Sequence, residues 1–250
     1  MKAAAGSRVN VTGVEVDDLD EEEAVAAIAR MVEAGGAHYL CVVNAAKAVA
    51  ASRDDRLRDV LAHASLVTAD GMSVVWAARW LGQRLKARVT GIDLFERLVA
   101  EAARRGWSVF FFGASLESVR GVVERFSRAH PTLRVAGWRD GYFDKAESPA
   151  IADQIRRSRA DLLFVAMGSP AQEFWIAENL ERTGARFAMG VGGSFDHLSG
   201  RKPRAPQWMQ RAGLEWLYRL LREPRRLWRR YLVGNTQFLR LVVRQRRSPR

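Results

Sequence analysis

Residues 107–115 read WSVFFFGAS, and this stretch decides the fold. Its apolar run, Val109 to Phe112, offers no polar face, so it reads as a strand covered on both sides. Gly113 ends the run, and Ser115 is placed to cap a helix reaching about Ala129. The same unit recurs on either side. HYLCVV (38–43) precedes the helical NAAKAVAASRD, and SLVTAD (65–70) precedes the helical GMSVVWAARWLG. TLRVAGW (132–138), ADLLFVAMG (160–168) and ARFAMGVGG (185–193) are three more strands with helices between them. GIDLFERLVAEAARRG is a helix closed by Gly106 as its C′ glycine, and Asp20 to Ala34 is another, with Asp20 as N-cap and Glu23 three residues on. RVNVTGVEV (8–16) alternates and reads as a single strand.

Strands alternating with helices of this length imply parallel pairing through crossover helices. The expected fold is α/β, a Rossmann-like three-layer sandwich with a mostly parallel sheet. A C-terminal helical, basic appendage follows, with the boundary near 200, where SGRKPRAPQ shifts the composition; this gives units 1–200 and 201–250. In such sheets ligands bind at the carboxyl ends of the strands. The positions to watch are therefore Asn44, Asp70, Gly113 to Ser115, Asp140 to Tyr142, Gly168 to Gln172 and Gly192 to Asp196.

The formal charge of +12 is unevenly placed. Residues 201–250 hold fifteen Lys and Arg against Glu215 and Glu223, while residues 1–200 hold 25 basic and 26 acidic side chains. One segment, rather than the whole protein, is built to meet anionic groups. The single cysteine, Cys41, has no intramolecular disulfide partner, which points to a reducing compartment. The N-terminus lacks the apolar core of a secretory signal, and no stretch approaches the roughly 20 apolar residues of a spanning helix.

Several constellations carry two readings from the residues alone. Asp70, at a strand end before Gly71, suits either a general base or a helix cap. FFGAS and GVGGSFD suit either phosphate approach or tight turns, since neither is a GxGxxG or P-loop. Pro170, Gln172 and Glu173 suit helix initiation, and an amide there also suits a sugar hydroxyl or a carbonyl. The four histidines lack metal-ligand spacing and read as structural; Asp18-Leu19-Asp20 reads as capping.

The tail divides at Pro224. In Gly213 to Glu223, Leu214, Leu217, Leu220 and Leu221 form an apolar stripe, with Arg211, Glu215, Arg219 and Arg222 on the other side. Beyond Pro224, Leu227, Trp228, Tyr231 and Leu232 form a second stripe flanked by Arg225, Arg226, Arg229 and Arg230. Arginine beside tryptophan and leucine fits an anionic lipid surface, at about 1 kcal/mol for each basic residue near it. The same pattern also fits packing on the body, or nucleic acid.

Taken together, NAAKAV, ADGMSVVWAARWLG, RVTGIDL, FFGAS, DGYF, GSPAQEFW and GVGGSFDHLSGRKPRAPQWMQRAGLEWLYRLLREPRRLWRRYL resemble the WecG/TagA/CpsF glycosyltransferases, from about Val9 to Phe238. The resemblance implies an inverting, metal-independent glycosyltransferase with no cofactor. Its donor would be a UDP-sugar and its acceptor a sugar on a polyprenyl diphosphate, met at the inner face of the cell membrane during cell-surface polysaccharide synthesis. Asp70 matches the family's proposed base, and Asn44 the asparagine beside it. Arg88 matches a pocket arginine, and Gln172 the glutamine of a GxPxQE segment that contacts the donor. Tyr142 is placed to stack on uracil and Asp196 to bind ribose. Arg219, Arg226 and Arg229 match tail arginines that reach diphosphate. Where the family often carries threonine, two residues before Asn44, this chain has Val42, so the resemblance leaves the donor sugar unassigned. It implies no nucleic acid, and leaves self-association open. Deleting the tail is expected to cost catalysis as well as membrane binding. The competing reading is a non-catalytic nucleotide-binding module whose basic tail docks nucleic acid; no RNA-binding aromatic signature supports it.

Overall fold

The computed structural model describes residues 7–211, 213–228 and 232–247; the side chains at 211, 219, 226 and 227 lie outside that description. The chain opens with β1 (Arg8–Val11) and β2 (Val14–Asp17), which pair with each other and not with the main sheet. RVNVTGVEV is thus not one strand but an antiparallel hairpin. Thr12 and Gly13 both adopt positive φ, 55° and 86°, the geometry of a two-residue turn that matches strand twist. Alternation alone does not reveal such a reversal, because both arms keep the same period.

The central sheet is built as expected. β3 (His38–Val43), β4 (Leu66–Ala69), β5 (Ser108–Gly113), β6 (Arg134–Arg139), β7 (Leu162–Ala166) and β8 (Phe187–Gly190) run parallel in the order β4-β3-β8-β7-β5-β6. Helices α1 (Glu21–Ala34), α2 (Ala45–Ala51), α3 (Asp55–His63), α4 (Met72–Trp80), α5 (Gly91–Arg105), α6 (Leu116–Ala129), α7 (Ser148–Ser158) and α8 (Ala171–Thr183) connect the strands and cover both faces. Asp20 closes a full capping box with Glu23 on α1, Ser115 caps α6, and Gly106 ends α5 in the left-handed conformation, all as the sequence predicts.

The phenylalanines of β5 show why its run is uninterrupted. Val109 and Phe111 point to one side, into a core with Phe95, Leu98, Phe126, Phe164 and Phe195. Phe110 and Phe112 point to the other, against Ile151, Ile155, Trp175 and Ile176. Both faces of the strand are dry, as a three-layer sandwich requires. Phe95 lies at the hub of the first core, its ring centroid 4.5 to 6.2 Å from four other phenyl rings.

Beyond β8 come α9 (Ser194–Leu198), α10 (Gln207–Arg211), α11 (Glu215–Arg222), α12 (Pro224–Trp228) and α13 (Gly234–Arg247). The break falls at Glu223 and Pro224, where the sequence places it. Arg229 lies outside the described residues, as do the side chains of Arg219 and Arg226. The last helix returns to the body. Phe238 and Val242 are buried in the same core as the β1–β2 hairpin, α2 and α4. The Gln245 amide donates to the Asn10 carbonyl at 2.9 Å and accepts from the Thr12 N–H at 2.6 Å. The change of composition near 200 therefore does not coincide with a loss of contact to the body.

The chain leaves β5 toward the edge strand β6, but leaves β7 in the opposite direction, toward β8. The connections leaving these neighbouring strands part at their carboxyl ends, and such a switch point is where an open α/β sheet takes its ligand.

Candidate active site

Asp70 follows the last residue of β4. Its N–H bonds the Val43 carbonyl at 2.9 Å, which fixes it beside the end of β3. The Gly91 N–H donates to Asp70 Oδ1 at 3.0 Å. No described residue hydrogen-bonds Oδ2. One carboxylate oxygen is thus held by the backbone while its twin is left to act. Asp70 does not cap α4: the N-cap is Gly71, with no side-chain hydrogen bond. The helix donor that Asp70 does satisfy is the first N–H of α5.

Asn44 stands at the end of β3 and caps α2, its Oδ1 accepting from the Lys47 N–H at 3.1 Å. A Cβ at Gly71 would lie 3.7 Å from the Asn44 Cβ, so the asparagine and the start of α4 are neighbours. Val42 packs beneath the same spot, 3.5 Å from where a Cβ at Gly91 would be. The residue that stands where the family often has threonine thus supports the loop whose N–H orients Asp70.

The crevice between β5 and β7 is lined by backbone. Gly113 (φ 118°) lies so close to the end of β7 that a Cβ there would come 2.6 Å from the Ala166 carbonyl carbon. Gly141 also approaches closely, since a Cβ there would lie 2.9 Å from the Gly113 Cα, and its N–H bonds the Ala114 carbonyl at 2.9 Å. Tyr142 follows and is 79% exposed, a free ring beside the crevice. Asp196 is less free. Its Oδ1 accepts from the Ser118 hydroxyl at 2.7 Å and its Oδ2 pairs with Lys202 at 3.5 Å.

Gln172 is 3% exposed, and its amide is engaged on both sides. Oε1 accepts from the Gly192 N–H at 2.9 Å, and Nε2 donates to Glu173 Oε1 at 3.0 Å. It lies beneath the β8 turn rather than projecting into open space. Glu173 is paired in turn with Lys47 at 2.6 Å, and both side chains are almost fully buried. In the sequence Glu173 reads as a first-turn helix residue, and Lys47 is not among the candidates. The available signal was that Lys47 is the only charged side chain in the apolar run NAAKAVAA.

Arg88 turns toward the tail. Its guanidinium meets the Gln210 carbonyl at 3.1 Å and Glu215 at 3.4 Å. Glu215 also meets Arg204, which reaches Asp93 at 2.7 Å. Burial works against the Arg204 charge, but Asp93 and Glu215 outweigh it and raise its pKa. A Cβ at Gly213 would lie 3.1 Å from Met72 Cγ. Arg204, Gln210, Gly213 and Glu215 are therefore laid across the starts of α4 and α5, next to Asp70. Glu215 and Arg204 were not singled out from the sequence as site residues, because their meaning depends on a fold-back that spacing does not encode.

The remaining candidates are structural. His38 bonds Ser65 and the Gly35 carbonyl, His63 the Asp59 carbonyl, and His197 the Lys202 carbonyl. Asp18 accepts from the Lys86 N–H, while Asp20 caps α1. Burial pushes the Cys41 thiol up to about 12, so it is no nucleophile at neutral pH. Among the described residues, no helix is long and apolar enough to cross a membrane.

A parallel sheet with glycine-lined strand ends and an oriented carboxylate is an arrangement common to α/β enzymes. The family comparison makes that class specific. The Glycosyl transferase WecG/TagA/CpsF family matches residues 9–250, and the chain belongs to it and is a glycosyltransferase. Two relatives share the printed name N-acetylglucosaminyldiphosphoundecaprenol N-acetyl-beta-D-mannosaminyltransferase. The one from Bacillus subtilis (strain 168) is 38% identical over 193 residues, 77% of this chain and 74% of its own. The one from Bacillus spizizenii is 38% identical over 211 residues, 84% of this chain and 80% of its own.

Proposed function

We propose that the protein moves a sugar from a UDP-sugar to a sugar carried on a polyprenyl diphosphate, with inversion and without a metal, at an anionic membrane surface. The observation that carries this reading is the setting of Asp70. Its carboxylate is anchored through one oxygen, presents the other, and lies under a basic segment.

In the proposed step, Asp70 Oδ2 takes the proton of the acceptor hydroxyl. The freed oxygen attacks the anomeric carbon, the bond to UDP breaks on the opposite face, and the configuration inverts. Asn44, beside Asp70, offers its amide to the acceptor sugar. The nucleotide lies in the β5–β7 crevice, with Tyr142 against the base and the Gly190–Gly193 turn along the sugar diphosphate. Asp196, tied to Ser118 and Lys202, borders the same turn. The charge developing on the departing diphosphate is met by guanidinium groups: Arg88 from the body, with Arg219, Arg226 and Arg229 as tail candidates. Preorganised positive groups of this kind stabilise a leaving group without a metal.

Attachment to the membrane is supported by the exposed side chains of the tail. Trp208, Trp216, Leu221 and Trp228 all face solvent on a segment rich in arginine. An acceptor with a lipid chain is embedded in the bilayer, so the enzyme has to work at that surface. The printed names of the two relatives describe such an acceptor. A donor screen tests the reading: UDP release from a panel of UDP-sugars with a short-chain lipid diphosphate glycan. Release from one donor that requires the acceptor and survives EDTA is expected. A strict need for Mn or Mg would overturn the metal-free step.

A further inference from the structure

Two full charges are buried behind the candidate site, and the proposed chemistry gives them no task. Lys47, on α2, and Glu173, on α8, meet at 2.6 Å with side-chain exposures of 5% and 2%. Burying such a pair is expensive, and apolar residues of similar size usually stabilise a core at least as well. Its bonds suggest what the charge is for. Glu173 Oε1 accepts from Lys47 Nζ and from Gln172 Nε2 together. A carboxylate can only accept, so it forces the Gln172 amide to turn its nitrogen inward. The amide oxygen then faces the Gly192 N–H, which it meets at 2.9 Å.

The packing around the amide is close. A Cβ at Gly190 would lie 2.7 Å from Gln172 Cδ, so the amide lies directly on the glycine at the end of β8. At the other end of the chain of bonds, the Lys47 N–H bonds the Asn44 side chain. A continuous path therefore runs from Asn44 through Lys47, Glu173 and Gln172 to the Gly192 N–H. It joins the ends of β3 and β8, which are neighbours in the sheet.

We infer that Lys47 and Glu173 are positioning residues for sugar transfer: the buried ion pair fixes the Gln172 amide, which sets the Gly190–Gly193 turn at the register the donor requires. This rests on the proposed reading that the turn lines the donor site. Gln172 then acts on the donor through the turn rather than by direct contact.

Two double variants separate orientation from charge. Lys47→Met with Glu173→Leu removes the pair and the acceptor for the Gln172 amide. Lys47→Met with Glu173→Gln removes the charges but keeps an oxygen for that amide. The first is expected to raise the KM for the UDP-sugar roughly tenfold or more, the scale of a small misplacement at a reacting centre. The second is expected to restore KM to near the wild-type value. A loss of folded protein alone would lower the apparent kcat and leave KM unmoved. A wild-type KM in the leucine variant, or an equal rise in both, overturns the inference. Should the leucine variant not fold, Gly190→Ala presses on the same amide without touching the pair, and the same rise in KM is expected; an unchanged KM there overturns it. Gly193→Leu checks the underlying reading, because nothing lies within 4 Å of a Cβ at Gly193. An unchanged KM in that variant removes the turn from the donor site and the inference with it. A raised KM there, with a silent leucine double variant, defeats the relay alone.

Discussion

The floor of the site and its cover are held by different forces. Asp70 and Asn44 are fixed by backbone hydrogen bonds of about 3 Å at the ends of the edge strand β4 and its neighbour β3. Beside the buried Ala205 and Met209, the cover is tied down by ion pairs, Arg204 with Asp93, Glu215 with Arg88 and Arg204, and Lys202 with Asp196 and Glu223. Short backbone bonds within a packed sheet hold one geometry and ignore salt. Partly exposed ion pairs are individually weak and exchange readily with other anions. A transferase that binds diphosphates benefits from this division. On the proposed reading, the base stays where it is, while the cover trades a carboxylate for a phosphate.

The largest expected effect tests the floor. Asp70→Asn keeps the acceptor for Gly91 but removes the base, and should lower kcat by about 10²–10⁴-fold with UDP binding retained. Transfer at the full rate would remove Asp70 from the chemistry. The next test concerns the far end of the cover, which is held by burial rather than charge. Phe238→Ala should cost about 3 kcal/mol of stability in a denaturant melt. A loss below about 1 kcal/mol would mean that α13 merely rests on the body. Smaller still, Glu215→Gln removes the carboxylate shared by Arg88 and Arg204. Pyrophosphate affinity should then rise about fivefold, with a steeper salt dependence. Weaker binding would show instead that Glu215 holds the cover in its binding position. The smallest effect is an absence of reaction. With its thiol pushed up to about 12 by burial, Cys41 should resist alkylation at pH 8 until the protein unfolds. Rapid labelling of the native protein would show that β3 opens, and that the floor is less rigid than its bonds imply.

Much of the sheet was legible because most of its strands are short apolar runs ending at glycine or a polar residue, and WSVFFFGAS contains these signals. The hairpin at the N-terminus was not, because its reversal at Thr12 and Gly13 leaves the alternation intact. Asp70 and Asn44 were legible as strand-end polar residues. The Lys47–Glu173 pair was not, since its partners are 126 residues apart and meet only when α2 and α8 pack. Arg88 was legible as basic and near the site, but its link to Glu215 depends on the tail folding back. The buried Phe238 and Val242 also change the meaning of a truncation at 200. Such a deletion would open the core as well as uncover the site, so point variants are the better probe of the tail.

The anchoring of α13 has one further consequence. The basic span is joined to the body at Ala205 and Met209 on one side and at Phe238 and Val242 on the other, all of them buried. A segment tied at both ends cannot diffuse away when its ion pairs break. Each released guanidinium stays at a high effective concentration over the strand ends, of the millimolar order typical of short tethers. Re-forming its ion pairs with the body is therefore an intramolecular event, governed by the length of the loop rather than by the amount of protein.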